Sequence, residues 1–242
     1  MENTLDVEKL GVRIKDRRLL EGISLHAKTG EVHVIMGPNG SGKTTLARTI
    51  LGDRRYELTD GMIKFNGEDI TKLKPYERAR LGLFVSFQEP IALQGVNVLN
   101  FLRASFEGVN STKITMSELK SKLKDYIELT GLPASIFDRN VNEGFSGGEK
   151  KRFELLQLLV IRPKIAILDE IDTGLDIEAM ERFSKIINDS LAETGFIIIT
   201  HNDRILRHIK PTLIHLMSEG RITKTGGVEL IDAIEKGGYR MD

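Results

Sequence analysis

Eight consecutive residues, Gly37, Pro38, Asn39, Gly40, Ser41, Gly42, Lys43 and Thr44, fit the spacing G-x-x-x-x-G-K-S/T. Glycines at these positions let successive backbone N–H groups turn inward around a phosphate, where a side chain would block the approach. Lys43 is placed to reach the β- and γ-phosphates of a nucleotide, and the Thr44 hydroxyl to ligate Mg²⁺, with Thr45 continuing the loop into a helix. A second constellation lies far along the chain. Asp169 and Glu170 are adjacent acids at the end of an apolar run, suited to hold Mg²⁺ through water (Asp169) and to accept a proton from an attacking water (Glu170). His201 and Gln88 each end another apolar run: the imidazole can touch a γ-phosphate or hold Glu170, and the neutral amide can bond a metal-bound water. Ser146, Gly147 and Gly148 open a third feature, a helix start bare enough to take a phosphate.

The elements flanking these residues decide between a site and an ordinary glycine turn. Residues 32–36 are a short, β-branched apolar run that reads as a buried strand. Residues 45–51 have helical spacing and stop at Gly52. Strand, glycine loop and helix together are the context that a phosphate loop requires. Residues 165–168 and 196–200 read as further buried strands, so Asp169, Glu170 and His201 arrive at the carboxyl ends of strands, where ligands sit in parallel sheets. Residues 83–87 read as another, running into Gln88.

Ahead of the loop, residues 5–14 and 19–27 alternate loosely around Lys15-Asp16-Arg17-Arg18, an antiparallel hairpin, and residues 61–65 form a short strand ending at Asn66-Gly67. Pro75 opens a helix that ends near Gly82. From residue 89 to 163 strand signals vanish: residues 98–106, 117–130 and 147–160 carry helical periodicity. Residues 177–191 form another helix, 213–217 and 221–224 two short strands, and 228–236 a final helix. The expected architecture is α/β: a parallel-sheet core (1–88 and 164–242) with an antiparallel β part and an inserted helical part (89–163), all within one domain (1–242).

Composition narrows the function. Thirty-five basic and 35 acidic residues cancel, so no basic face for nucleic acid stands out. There is no cysteine, which removes disulfides, thiolate metal sites and cysteine nucleophiles. Histidines 26, 33, 208 and 215 lack metal-ligand spacing and read as structural. The start, Met1 to Leu5, has no signal-peptide character, and the longest apolar run is far short of the ~20 residues of a membrane span. The expectation is a cytoplasmic protein with no direct membrane insertion.

The phosphate loop, Gln88, Ser146-Gly147-Gly148, Asp169-Glu170, the loop Thr173-Gly174-Leu175-Asp176 and His201 together resemble the ABC ATPases, in order and spacing, over nearly the whole chain. The resemblance implies an ATP-hydrolysing enzyme with ATP and Mg²⁺ as its ligands. It implies two copies packed head to tail, with Ser146 and Gly148 of one facing the phosphate loop of the other and Asp176 at the seam. Within that superfamily the chain is most similar to the SufC branch, which serves iron–sulfur cluster assembly. The runs that carry this are 31–46 (EVHVIMGPNGSGKTTL), 82–95 (GLFVSFQEPIALQG), 142–152 (NEGFSGGEKKR), 167–177 (ILDEIDTGLDI) and 220–227 (GRITKTGG). The resemblance implies the scaffold proteins SufB and SufD as partners; without cysteine this chain cannot itself ligate a cluster by thiolate. An ABC transporter subunit is the alternative, with identical catalytic chemistry and a membrane partner; a nucleotide-gated module without turnover is a third. One departure stands out: many ABC ATPases stack adenine on an aromatic residue in the first strand, and Val12-Arg13-Ile14 has none, leaving Val12 or Ile14 to cover the base. The basic run Lys150-Lys151-Arg152 offers a resting ion pair to Glu170.

Overall fold

The computed structural model describes residues 2–173, 175–201, 205–206 and 208–231. Gly174 and most of the helix read over 228–236 lie outside them. The chain opens with the hairpin β1 (Thr4–Ile14) and β2 (Arg17–Lys28), then β3 (Val32–Met36), the phosphate loop, and α1 (Lys43–Leu51). Next come β4 (Glu57–Phe65), β5 (Glu68–Asp69), α2 (Pro75–Leu81) and β6 (Leu83–Val85). Three helices follow, α3 (Val98–Asn110), α4 (Met116–Thr130) and α5 (Gly147–Ile161). The core resumes with β7 (Ile165–Asp169), α6 (Ile177–Ser190), β8 (Gly195–Ile199), β9 (Leu213–Ser218) and β10 (Arg221–Gly226).

The strands form two sheets. One is antiparallel, in the order β2-β1-β4-β5; the other has six strands, β10-β9-β3-β8-β7-β6, parallel except for β10. Every residue of β3, β7 and β8 is buried, because both faces of the parallel sheet are covered. Alternation along these strands divides the core. Ile35, Ile167, Ile197 and Ile199 face α1 and the antiparallel sheet, whereas Val34, Ala166, Leu168 and Ile198 face Phe183 and Ile187 of α6. A third cluster, built on Leu102, Leu123, Phe145 and Phe153, belongs to the helices. Helix α5 feeds two clusters at once: Leu155 and Leu158 pack toward the sheet, and Phe153 and Leu156 among the helices.

Two boundaries differ from the sequence reading, each for a tertiary reason. β4 begins at Glu57 rather than Gly61, because its exposed first half pairs with β1 (Arg13 with Glu57, Val12 with Leu58) without an apolar alternation to announce it. β6 ends at Val85 rather than Phe87, because the Phe87 N–H donates to the Glu154 carboxylate of α5 (2.7 Å) instead of continuing the ladder. Helix α4 begins within one residue of the reading, at Met116, capped by Thr115, whose hydroxyl and Glu118 form a capping box. A buried arginine fastens the loop helix to its surroundings. Arg78, on α2, donates to the carbonyls of Thr49 and Ile50 at the end of α1 and to those of Thr71 and Leu73. Burial lowers it to about 10, with the Asp69 carboxylate pulling the other way.

His33 and His215 are structural, as read, but they form one unit across β3, β9 and β10. Glu31 Oε2 lies 3.0 Å from His33 Nε2, His33 Nδ1 lies 3.0 Å from His215 Nε2, and His215 Nδ1 lies 2.9 Å from Thr225 Oγ1. Thr225 donating to His215, His215 to His33 and His33 to Glu31 satisfies the chain with both rings neutral; a second proton on His33 would set its Nδ1–H against the Nε2–H of His215. Burial lowers both histidines, His215 to about 4. The unfolded chain, with an ordinary histidine, binds more protons in this window. The neutral rings therefore stabilise the fold above pH ~6.5, and that stability drains away toward pH 4. His215 alone is expected to lose about 2 kcal/mol between pH 7 and pH 5. Denaturant melts at the two pH values check this, and the slope should flatten in His33→Gln/His215→Gln.

Candidate nucleotide site

The loop between β3 and α1 has the backbone that a phosphate needs. Gly40 and Gly42 hold φ of +80° and +105°. A Cβ on Gly37 would lie 2.0 Å from the Met217 carbonyl oxygen, so only glycine fits there. Helix α1 begins at Gly42 with no side-chain cap, which leaves the N–H groups of its first turn for an anion. The Ser41 hydroxyl is buried without a hydrogen-bond partner inside the same turn. Lys43 is 5% exposed, and its ammonium donates to the carbonyls of Gly37 (2.7 Å) and Pro38 (2.9 Å). Burial pulls this lysine down, with Glu170 and Asp169 pulling the other way. The rim lined by Asn39, Thr44 and Thr45 forms a cleft with Gln88 and Glu170.

Asp169 ends β7, fully buried, with its carboxylate 3.4 Å from the Thr44 hydroxyl that donates to it. Its backbone N–H donates to Ser86 Oγ, which ties the ends of β6 and β7 together. Burial pushes the Asp169 carboxyl up, against the Thr44 hydrogen bond. Two hard oxygen donors beside the phosphate loop fit Mg²⁺, which takes few protein ligands and completes its shell with phosphate and water. Among the described residues no cluster of three or more His, Asp or Glu side chains could hold a metal on its own.

Glu170 turns sharply out of the strand, at φ +51°. One carboxylate oxygen accepts from Gln88 Nε2 (2.7 Å), and the other lies 3.4 Å from His201 Nδ1. The structure thus brings Gln88, Asp169, Glu170, His201, Lys43 and Thr44 to one rim, from the ends of three strands (β6, β7 and β8) and the start of one helix (α1). Lys151 does come to Glu170, but not as the ion pair read from the basic run: its ammonium donates to the main-chain carbonyls of Glu170 (3.1 Å) and Gln88 (3.2 Å).

Ser146 and Gly148 stand apart from this cleft within one chain. Ser146 caps α5, is exposed, and closes a capping box with Glu149; a Cβ on Gly147 would meet nothing. Gly147 shares a separate recess with Gln88 and Lys150. Asp176 caps α6 by accepting from the Ala179 N–H, with Ile177 beside it 79% exposed. Two residues escaped the sequence reading. Arg17 and Leu19, at the start of β2, line the cleft, whereas Val12 is fully buried and unable to cover a base. Their signal was the hairpin itself, which folds β2 rather than β1 toward the loop.

The sequence profile described as "ABC transporter" matches residues 20–173. The chain belongs to the ABC transporter family of ATPases. The relatives run the full length of this ATPase. A protein of Bacillus subtilis named Vegetative protein 296 is 43% identical over 98% of this chain and 92% of its own. The Escherichia coli protein named Probable ATP-dependent transporter SufC is 41% identical over 97% of each chain. The Pyropia yezoensis protein named Probable ATP-dependent transporter ycf16 is 43% identical over 98% of this chain and 97% of its own. In structure, the ATP-binding cassette MJ1267 of an ABC transporter aligns with a TM-score of 0.77 at 28% identity, over 98% of this chain and 96% of that one. The cassette fold, with its antiparallel sheet, parallel sheet and intervening helices, is shared. No helix among the described residues is long and apolar enough to cross a membrane.

Proposed function

We propose that this ATPase drives iron–sulfur cluster assembly as the SufC-type subunit of a SUF complex, acting on the scaffold proteins SufB and SufD from the cytoplasm. What carries the reading is the identity of 41% along 97% of both chains with the Escherichia coli SufC protein, together with the long runs around the phosphate loop, Gln88 and Ser146. In this reading the helical part, 89–163, moves against a core made of 1–88 and 164–242.

The geometry supports a role for each residue. Lys43 exchanges its two loop carbonyls for the β- and γ-phosphates, and the bare first turn of α1 takes the remaining charge. Thr44 and Asp169 would hold Mg²⁺ and Gln88 would bond a water bound to it; the cation would supply neutralisation of the charge developing on the phosphates. Glu170 accepts the proton of the attacking water, and His201, already beside its carboxylate, orients it and contacts the γ-phosphate. Gln88 holds the other Glu170 oxygen and must release it when the γ-phosphate arrives. Ser146 and Gly148 of a second copy close the site, and Asp176 lies along the seam. Closure is favoured by ATP only because the closed pair binds it more tightly than the open chains do. Arg17 and Leu19 replace the missing aromatic platform for adenine.

Affinity isolation of the chain from its native lysate tests the assignment. Recovery of soluble SufB and SufD is the expected result. Recovery of a membrane permease in their place would overturn it in favour of a transporter subunit, and a purified chain that releases no phosphate from ATP would mark a nucleotide-gated module.

A further inference from the structure

We propose that Glu154 is a positioning residue for Gln88, coupling the glutamine loop to the helix whose tip carries Ser146 and Gly148. The inference rests on the reading of Gln88 and Ser146 given above and is independent of which scaffold the ATPase serves. Glu154 sits on α5, 3% exposed. One oxygen, Oε1, accepts the Phe87 N–H at 2.7 Å; the other, Oε2, is buried with no hydrogen-bond partner. Phe87 is the residue immediately before Gln88, and Gln88 already grips Glu170.

Three side chains converge on this dipeptide. Glu154 holds the Phe87 amide, Lys151, one turn earlier on the same face of α5, holds the Gln88 carbonyl, and the Arg48 guanidinium of α1 lies 4.8 Å above the Phe87 ring. Phe87-Gln88 is therefore clamped between the helix that follows the phosphate loop and the helix that begins with Ser146. Any displacement of Gln88 on engaging the γ-phosphate must carry α5 with it or break two bonds from that helix. Since α5 also joins the sheet cluster to the helical cluster, its shift reorients the whole helical part.

A purely structural acid would be a costly choice here. The charged groups facing Glu154 are Lys151 on its own helix, Asp169 on β7 and Arg48 on α1; burial, joined by Asp169, outweighs the Phe87 bond and the two cations and pushes the carboxyl up to about 7. An apolar residue of similar volume would serve packing as well or better, so the carboxyl is there for the bond to Phe87. Glutamine can make the same bond through its amide oxygen; leucine cannot.

The test compares Glu154→Gln and Glu154→Leu in the full chain with ATP alone. Leu is expected to lower kcat about ten-fold with KM for ATP changed less than about two-fold, and Gln to retain kcat within about three-fold of the parent. In the background of Gln88→Ala, Glu154→Leu should cost nothing further, because both changes cut the same link. Parental kcat in a folded Glu154→Leu overturns the proposal, as does full additivity with Gln88→Ala, or a Gln variant as slow as Leu. Hydrogen exchange on the unmodified chain answers independently of whether Leu folds: a non-hydrolysable ATP analogue should alter exchange at 84–89 and at 146–154 together. A change confined to one segment overturns the coupling. A parent chain with no turnover sinks the functional reading itself, which distinguishes that failure from this one.

Discussion

Glu170→Gln is expected to lower phosphate release by about 10²–10⁴-fold while leaving MgATP binding nearly intact. Glutamine keeps the size of the side chain, and its amide oxygen still accepts from Gln88 Nε2, which bonds the carboxylate at 2.7 Å. What it loses is the group that takes a proton from water. Lys43, Thr44 and Asp169, which grip the phosphates and cation, are untouched, so affinity has no reason to fall. The arrested chain should therefore accumulate as an ATP-bound dimer, because the closed pair is the tight-binding state and can no longer discharge. Phosphate release and sedimentation velocity with MgATP measure the two halves of the expectation. A variant that hydrolyses at the parental rate removes Glu170 from its role. One that stays monomeric at high protein concentration with ATP removes the sandwich.

The second large effect comes from mixing two inactive chains. Lys43→Ala strips the cradle of its ammonium, and Ser146→Glu sets a carboxylate where the γ-phosphate of the neighbour's nucleotide lies; each alone should lose roughly 10² or more of turnover. Ser146 is exposed at the tip of α5 and Glu is tolerated at a helix start, so the fold stands. In a head-to-tail pair of one chain of each kind, one site combines the intact loop of the Ser146→Glu chain with the intact tip of the Lys43→Ala chain. Equal mixing makes half the dimers mixed, with one good site of two, so turnover should return to about a quarter of the parental value. A mixture as inert as its parts would mean that each nucleotide is served by one chain only.

The chemistry was legible in the sequence wherever it depends on local order. Gly37 to Thr44 need only their spacing, and the β-branched run before them and the helical run after them declare strand and helix by period. Asp169, Glu170 and His201 could be placed on a common rim because parallel strands end on the same side, and the structure brings them there together with Gln88. Alternation also told which residues are buried, though not against what.

Tertiary structure decided the partners. His33 meets His215 across 182 residues, Phe87 loses its strand pairing to an acid 67 residues away, and Lys151 spends its ammonium on carbonyls rather than on the Glu170 carboxylate. Arg17, not Val12, lines the cleft, because the hairpin turns β2, not β1, toward it. The physical reason is common to all four. Periodicity reports which face of an element is apolar, but a hydrogen bond between distant residues depends on how whole elements stack, and that is set by the sum of the core rather than by any segment of it.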